Sequence, residues 1–501
     1  MSNAQQSTRR SFLSAALVGL PAKGERRVTG RIVDESHLLG HKLRDRQKFA
    51  APKQQVRVPV VIVGGGIGGL SAGWRLQKKG FRDFVILELE KEAGGNSRWG
   101  ENEVSAYPWA AHYLPTPNRN AALVREICQE MGLFQEDGHL AERHLCHSPQ
   151  ERLFIHGRWQ DGIEPESGIG REARNQYKRF SELIAEATAS GQFTVPMEDG
   201  AKPSPLDAIS MEEWLTRNKF DSPYLRWYVN YATRDDYGAM AKETSAWAGI
   251  HYFAAREHED RGPFVWPEGN GFIVKHLMKT LGKQVRASSM VTRIEDGRPV
   301  RVQTEQVEYL AQMVIWAAPT FLLPYVFAGA PDTKALVYSP WWTANLTLDR
   351  LPKEHLTEPA WDNVIYDSPS LGYVVATHQS LRTHLERSVW TYYFAMAEGT
   401  AAANRKALLE RDWGYYRDFI LRDLERAHPD IRECVSHIDV MRMGHAMARP
   451  VPNWLLNPAR RRLAEWGTNI VLANSDLSGF SIFEEAQYRG VKAADRILRR
   501  L

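Results

Sequence analysis

Apolar residues recur along this chain with two different periods, and the changes of period mark its elements. Val60-Val61-Ile62-Val63 is an unbroken apolar run branched at Cβ, which predicts a buried strand. After a cluster of glycines, Leu70, Ala72, Gly73 and Leu76 fall at helix-compatible spacing, and Gly80 predicts the stop. Phe84-Val85-Ile86-Leu87 predicts a second short strand. Further along, Tyr177, Phe180, Leu183 and Ile184 predict one face of a helix, and Arg152 to Trp159 a hairpin around Gly157. Thr343–Leu348, Tyr373–Thr377 and Val389–Phe394 read as strands. Arg405–Ala427 reads as one amphipathic helix stopped by Pro429.

The glycines between the first strand and its helix are the chemically informative ones. Gly64, Gly66 and Gly69 form a Gly-x-Gly-x-x-Gly turn, with Ile67 and Gly68 inside it. In such a turn the first glycine allows the bend, the second admits a pyrophosphate close to the backbone, and the third lets the helix pack on the sheet. Anions bind there because the helix N-terminus presents unpaired N–H groups. The second strand ends in Glu88, which lies 88 − 69 = 19 positions after the last glycine. That is close to the roughly 20 at which an acid meets an adenosine ribose.

Glu88 to Asn96, with the pair Gly94-Gly95, resembles the acid and glycine-pair segment of the flavin-containing amine oxidase superfamily. Where that family usually has an arginine after the pair, this chain has Asn96, and Arg98 follows. Asn469–Asp476 resembles the family's final strand, and Phe483–Ala494 its last helix, with Glu485 where a glycine is usual. Val291–Ile294, Val314–Pro319 and the loop Trp266–Phe272 fit intervening segments in the same order. The resemblance implies an α/β fold: a discontinuous Rossmann-like FAD-binding domain with an α+β substrate domain. It implies FAD contacts from Gly64, Gly66, Ile67, Gly68, Gly69, Glu88, Gly94, Gly95, Asn96, Arg98, Val291, Asp476 and Phe483. Asp476 is expected at the ribityl chain, and the N-terminus of the last helix at the flavin. Met441–Pro450 resembles the segment where some members attach flavin through a cysteine; it contains none, so FAD is expected to be noncovalent.

The segments divide the chain into a cofactor domain of residues 56–134, 264–326 and 437–501, and a substrate domain of 135–263 and 327–436. Residues 23–55 read as a polar lead-in that wraps the surface or stays mobile. Ahead of it, residues 1–22 resemble a twin-arginine export signal, with Arg9-Arg10 before a short apolar run. A periplasmic enzyme is expected, with a cytoplasmic one as the alternative. That run is too short for a membrane span of about 20 residues.

Composition narrows the picture a little further. With 64 basic and 60 acidic residues and no basic block, the sequence offers no nucleic-acid surface. Cys128, Cys146 and Cys434 have no metal-ligand spacing, and a Cys128–Cys146 disulfide stays open.

Flavin chemistry asks the protein to orient a substrate C–H bond and set its protonation state. His112, in Trp109–Pro115, aligns with the family segment passing the flavin face. It is the first catalytic candidate, as a proton acceptor or as a structural histidine. Asn345 stands near the position where many amine oxidases place a lysine, and His445 is the third candidate. Arg449 reads as a partner for a carboxylate. Arg234-Asp235-Asp236-Tyr237-Gly238 reads either as a site for a cation or as a capped turn pairing with its own arginine. The function implied is oxidation of an amine or another small organic substrate by hydride transfer, with a redox partner as one possible electron acceptor. A desaturase or isomerase of an apolar substrate, and a non-catalytic electron-relay flavoprotein, are the alternatives.

Overall fold

The computed structural model describes residues 27–34, 36–197, 202–257, 262–353, 359–381 and 385–501. The export-signal expectation lies outside them. Among the described residues, no helix is long and apolar enough to cross a membrane.

Val60–Val63 is the middle of a five-stranded parallel sheet, flanked by Phe84–Leu87 and Met313–Trp316, with Val285–Arg286 and Ile470–Leu472 outermost. Side chains alternate across a strand, so Val60 and Ile62 enter one core and Val61 and Val63 another. The first core is closed by the helices Ile67–Lys78, Gly271–Leu281 and Phe483–Leu498. The second is closed by a four-stranded sheet of Val291–Glu295, Val300–Thr304, Val307–Ala311 and Gln54–Arg57. Both faces are therefore covered, which is why these strands read as unbroken apolar runs.

The other half is built on an eight-stranded mixed sheet. Its order is Thr29–Ile32, Val435–Ala448, Tyr338–Leu348, Ser388–Ala395, Tyr373–Val375, Asp362–Ile365, Glu151–Ile155 and Arg158–Asp161. One face, with Trp342, Ala344 and Leu346, packs on the helices Ala401–Glu410 and Trp413–Leu424. The opposite face, with Trp341, Tyr393, Met441 and Met443, looks toward Trp109 and Tyr231. A helical cluster including Arg171–Ala189, Pro223–Tyr237 and Ala246–Ala254 completes this half, with Tyr177, Phe180 and Ile184 buried as the spacing predicts.

Two expectations change. Residues 437–448, assigned by sequence to the cofactor domain, lie in the Val435–Ala448 strand of the eight-stranded sheet. Arg405–Ala427 is interrupted, because the Asp412 side chain caps a new helix by accepting the Tyr415 N–H at 2.9 Å. The lead-in follows the first of its two alternatives and wraps the surface: Thr29–Ile32 pairs in parallel with His437–Val440, and Gln54–Arg57 joins the four-stranded sheet. Cys128, Cys146 and Cys434 are free and buried.

Candidate active site

The glycine turn shows which glycines serve packing and which leaves room. A Cβ on Gly69 would lie 1.9 Å from the Gly64 carbonyl oxygen, and one on Gly68 would lie 2.6 Å from that of Ala473. Gly64 has φ +102°, a conformation that favours glycine. At Gly66, by contrast, a Cβ would meet only Gly95 Cα, at 3.9 Å. Gly94 and Gly95, at φ +136° and +57°, lie directly beside it: Gly66 and Gly94 form a parallel β-bridge, and the Gly94 N–H donates to the Gly65 carbonyl at 2.8 Å. The helix that starts with Ile67 has no side-chain cap, so its first N–H groups stay unpaired ahead of Leu70, whose N–H donates to Gly66.

Glu88 is 8 % exposed and accepts the Gly65 N–H at 2.7 Å and the Glu90 N–H at 2.8 Å. Burial pushes its carboxyl above the usual range, against the pull of these two N–H groups. Arg98 donates to the Gly95 carbonyl at 3.1 Å and sits 3.6 Å from Glu90, bracing the glycine pair. Asn96 donates to the Ala446 carbonyl at 2.9 Å. Val291 is buried in the first strand of the four-stranded sheet.

Asp476 is 1 % exposed, and its oxygens accept the Thr320 N–H at 2.7 Å, the Thr320 hydroxyl at 2.6 Å and the Tyr338 hydroxyl at 2.7 Å. With three donors on it, this carboxylate is an internal anchor between the two halves.

Asn345 is also taken. Its amide donates to the Pro108 carbonyl at 3.1 Å, and its oxygen accepts the Thr391 hydroxyl at 2.7 Å. Thr343 donates to the Trp109 carbonyl at 2.6 Å and Tyr393 to that of Ala110 at 3.1 Å. Three side chains of the eight-stranded sheet thus pin three successive carbonyls, which positions the segment ending in His112. Asn345 is outside the cavity described next; Thr343, two residues earlier on the same strand face, lines it. His445 is outside it as well, stacked on Phe321 at 4.2 Å.

A cavity of about 140 Å³ opens where the two halves meet. It joins Asn96, His112 and Phe483 with residues the sequence did not single out: Asn270, Thr343, Tyr393, Arg256 and Glu484. Asp235 and Asp236 line it too. They end the helix Pro223–Tyr237, which Gly238 caps at φ +57°, but Arg234 donates to the carbonyls of Ser368, Pro369 and Ser370, so the pairing with its own arginine does not form. Burial pushes Asp235 up to about 7 and Asp236 up to about 6.

His112 lies against Tyr393, Tyr113 and Trp361, with ring centroids at 4.5, 5.0 and 5.5 Å. Its Nδ1 is 3.2 Å from the Ala110 carbonyl, an arrangement that makes Nδ1 the protonated nitrogen and leaves Nε2 as an acceptor. Burial pushes it down to about 4, so it is neutral at pH 7. Arg449 has its carboxylate partner in Glu243, at 3.6 Å. No group of side chains suited to a metal ion occurs among the described residues.

Residues 62–131 match the family model of the NAD(P)-binding Rossmann-like domain. Over 274 residues the chain is 24 % identical to a flavin-containing amine oxidase of Oncorhynchus mykiss, covering 52 % of this chain and 50 % of that one. Over 280 residues it is 25 % identical to the flavin-containing amine oxidase B of Cavia porcellus, with the same coverage. The match spans about half the length of these curated relatives. Among solved structures, putrescine oxidase bound to putrescine superposes with a TM-score of 0.67 at 15 % identity, covering 89 % of this chain and 100 % of that one. Cyclohexylamine oxidase from Brevibacterium oxydans IH-35A gives 0.65 at 14 % identity, with 88 % and 99 % covered. The class defined by fold and site is a two-domain dinucleotide-binding protein. More narrowly, the chain has the fold of the flavin amine oxidases.

Proposed function

We propose that this chain is an FAD-dependent oxidoreductase that oxidises a small amine, with FAD held noncovalently. The observation that carries the reading is the single cavity where the cofactor-side residues Asn96, His112 and Phe483 meet the carboxylates Asp235 and Asp236. The residues fit the cofactor. The open space beside Gly66 and the unpaired N–H groups of the helix that follows form a cradle for a pyrophosphate. Gly64, Gly66, Gly69, Gly94, Gly95 and Glu88 would hold FAD, which when bound supplies the acceptor for a hydride from the carbon bearing nitrogen.

The chain's own residues select and orient. Carboxylates favour a cationic amine over an apolar substrate, which disfavours a desaturase or isomerase. Tyr393, Tyr113 and Trp361 keep water from the His112 side. A neutral His112 with a free Nε2 accepts a hydrogen bond from an amine N–H and so orients it. At about 4 it is too weak a base to strip an ammonium, which replaces the proton-acceptor role expected of it. Export to the periplasm rests on the Arg9-Arg10 segment alone.

Anaerobic mixing of the purified flavoprotein with primary amines tests the reading: the flavin absorbance bleaches. A flavin that no amine reduces would refute amine oxidation. In the same assay, His112→Asn raises the half-saturating amine concentration more than its limiting rate falls. A loss of about 10²–10⁴-fold in rate at unchanged affinity would restore the base role.

A further inference from the structure

We propose that the cavity selects dications, with Asp235 and Asp236 holding a second ammonium group on the substrate beyond the amine that is oxidised. The proposal deepens the amine-oxidation reading and rests on it.

The cavity is lined by three carboxylates, Asp235, Asp236 and Glu484, and by one guanidinium, Arg256. His112 is neutral, so with all three carboxylates ionised 3 − 1 leaves an excess of two negative charges. Arg256 already donates to Glu484 Oε1. Neither Asp235 nor Asp236 accepts a hydrogen bond among the described residues, and Arg234, the nearest cation in sequence, is turned to backbone carbonyls. Both acids stand in the last turn of a helix, whose carbonyl end adds negative potential. Glu151 adds negative charge on the Asp235 side, while burial holds its strand partner Asp362 well above the usual carboxyl range.

A second observation is independent of the pair. Glu484 Oε2 and Asn270 Oδ1 line the same cavity, on residues 1 % and 2 % exposed, and neither has a donor. Buried acceptors in native proteins are nearly always paired, so this cavity is short of donors as well as of positive charge. An amine with two ammonium groups supplies both. A monoamine leaves one carboxylate uncompensated, and an amino acid brings a charge of the wrong sign. The raised Asp235 and Asp236 fit the same account, because a bound dication stabilises their ionised forms and releases protons.

The test uses the flavin-loaded protein with linear α,ω-diamines of three to six carbons, the matching monoamines and the matching ω-amino acids. Anaerobic flavin reduction is followed, and binding is measured by calorimetry in two buffers of different ionisation enthalpy. The best diamine is expected to half-saturate at a concentration at least tenfold lower than its monoamine, with the amino acid weakest and protons released on diamine binding. Asp235→Asn and Asp236→Asn should each weaken the diamine by a larger factor than the monoamine, erasing most of the diamine advantage. A monoamine that equals the diamine in the unmodified protein overturns the proposal without any variant. So does a diamine advantage that survives both substitutions. If no amine bleaches the flavin but the diamine binds with proton release, amine oxidation fails and the dication site stands. If amines bleach it without preference, the reverse holds.

Discussion

Asp235 and Asp236 show what burial does to neighbouring carboxylates. Their carboxyls stand at about 7 and about 6 in the folded chain, against 3.8 when unfolded. Between about pH 4 and 7 the folded state therefore binds more protons than the unfolded state, so their contribution to stability falls as pH rises through that window and is flat above it. Asparagine mimics the protonated form at every pH. The Asp235→Asn/Asp236→Asn double variant should consequently gain in unfolding midpoint relative to the parent between pH 5 and pH 8. A constant gap between the two melting curves would contradict the burial account. At this scale, legibility followed sequence distance. The glycine turn and Glu88 are readable because their partners lie within one strand-turn-helix unit. The partners of Asn345 and Asp476 are not readable because they come from far away: Pro108, 237 positions from Asn345, and Tyr338, 138 positions from Asp476. Tyr393, pinned to the Ala110 carbonyl, carried no signal at all.

Helices meet closely in the cofactor half, and one contact decides how closely. A Cβ on Gly490 would stand 2.1 Å from the Gly68 carbonyl oxygen, pushing the terminal helix off the helix that follows the glycine turn. Gly490→Ala should cost about 1–3 kcal/mol through overpacking and lower the retained flavin, read as a lower melting midpoint and a reduced absorbance ratio. Gly40, also in a helix, has nothing within 4 Å of an added Cβ. Gly40→Ala should be neutral or stabilising by up to about 1 kcal/mol. Equal losses at both positions would disprove the close-approach argument. The strands of this half were legible because each face is apolar. The break after Glu410 was not, because helical spacing continues through it while the Asp412 carboxylate competes for the backbone.

The whole molecule is held together partly by its lead-in. The Thr29–Ile32 strand covers the edge of Val435–Ala448, Asp34 pairs with Arg442, and the Ser36 N–H and hydroxyl both donate to Glu90 at 2.8 Å. One short segment thereby touches both halves, which its polar composition did not announce. Deleting residues 27–36 should uncover a strand edge and leave Glu90 without two donors, lowering the melting midpoint and raising light scattering with concentration. An unchanged midpoint would mean the segment is passive. The pairing also has a meaning in time. Thr29 and His437 are 408 positions apart, so on a ribosome the first strand is made long before its neighbour exists. Closure of the eight-stranded sheet has to wait until the Val435–Ala448 strand has been made, and until then the early strand is an edge in search of a partner.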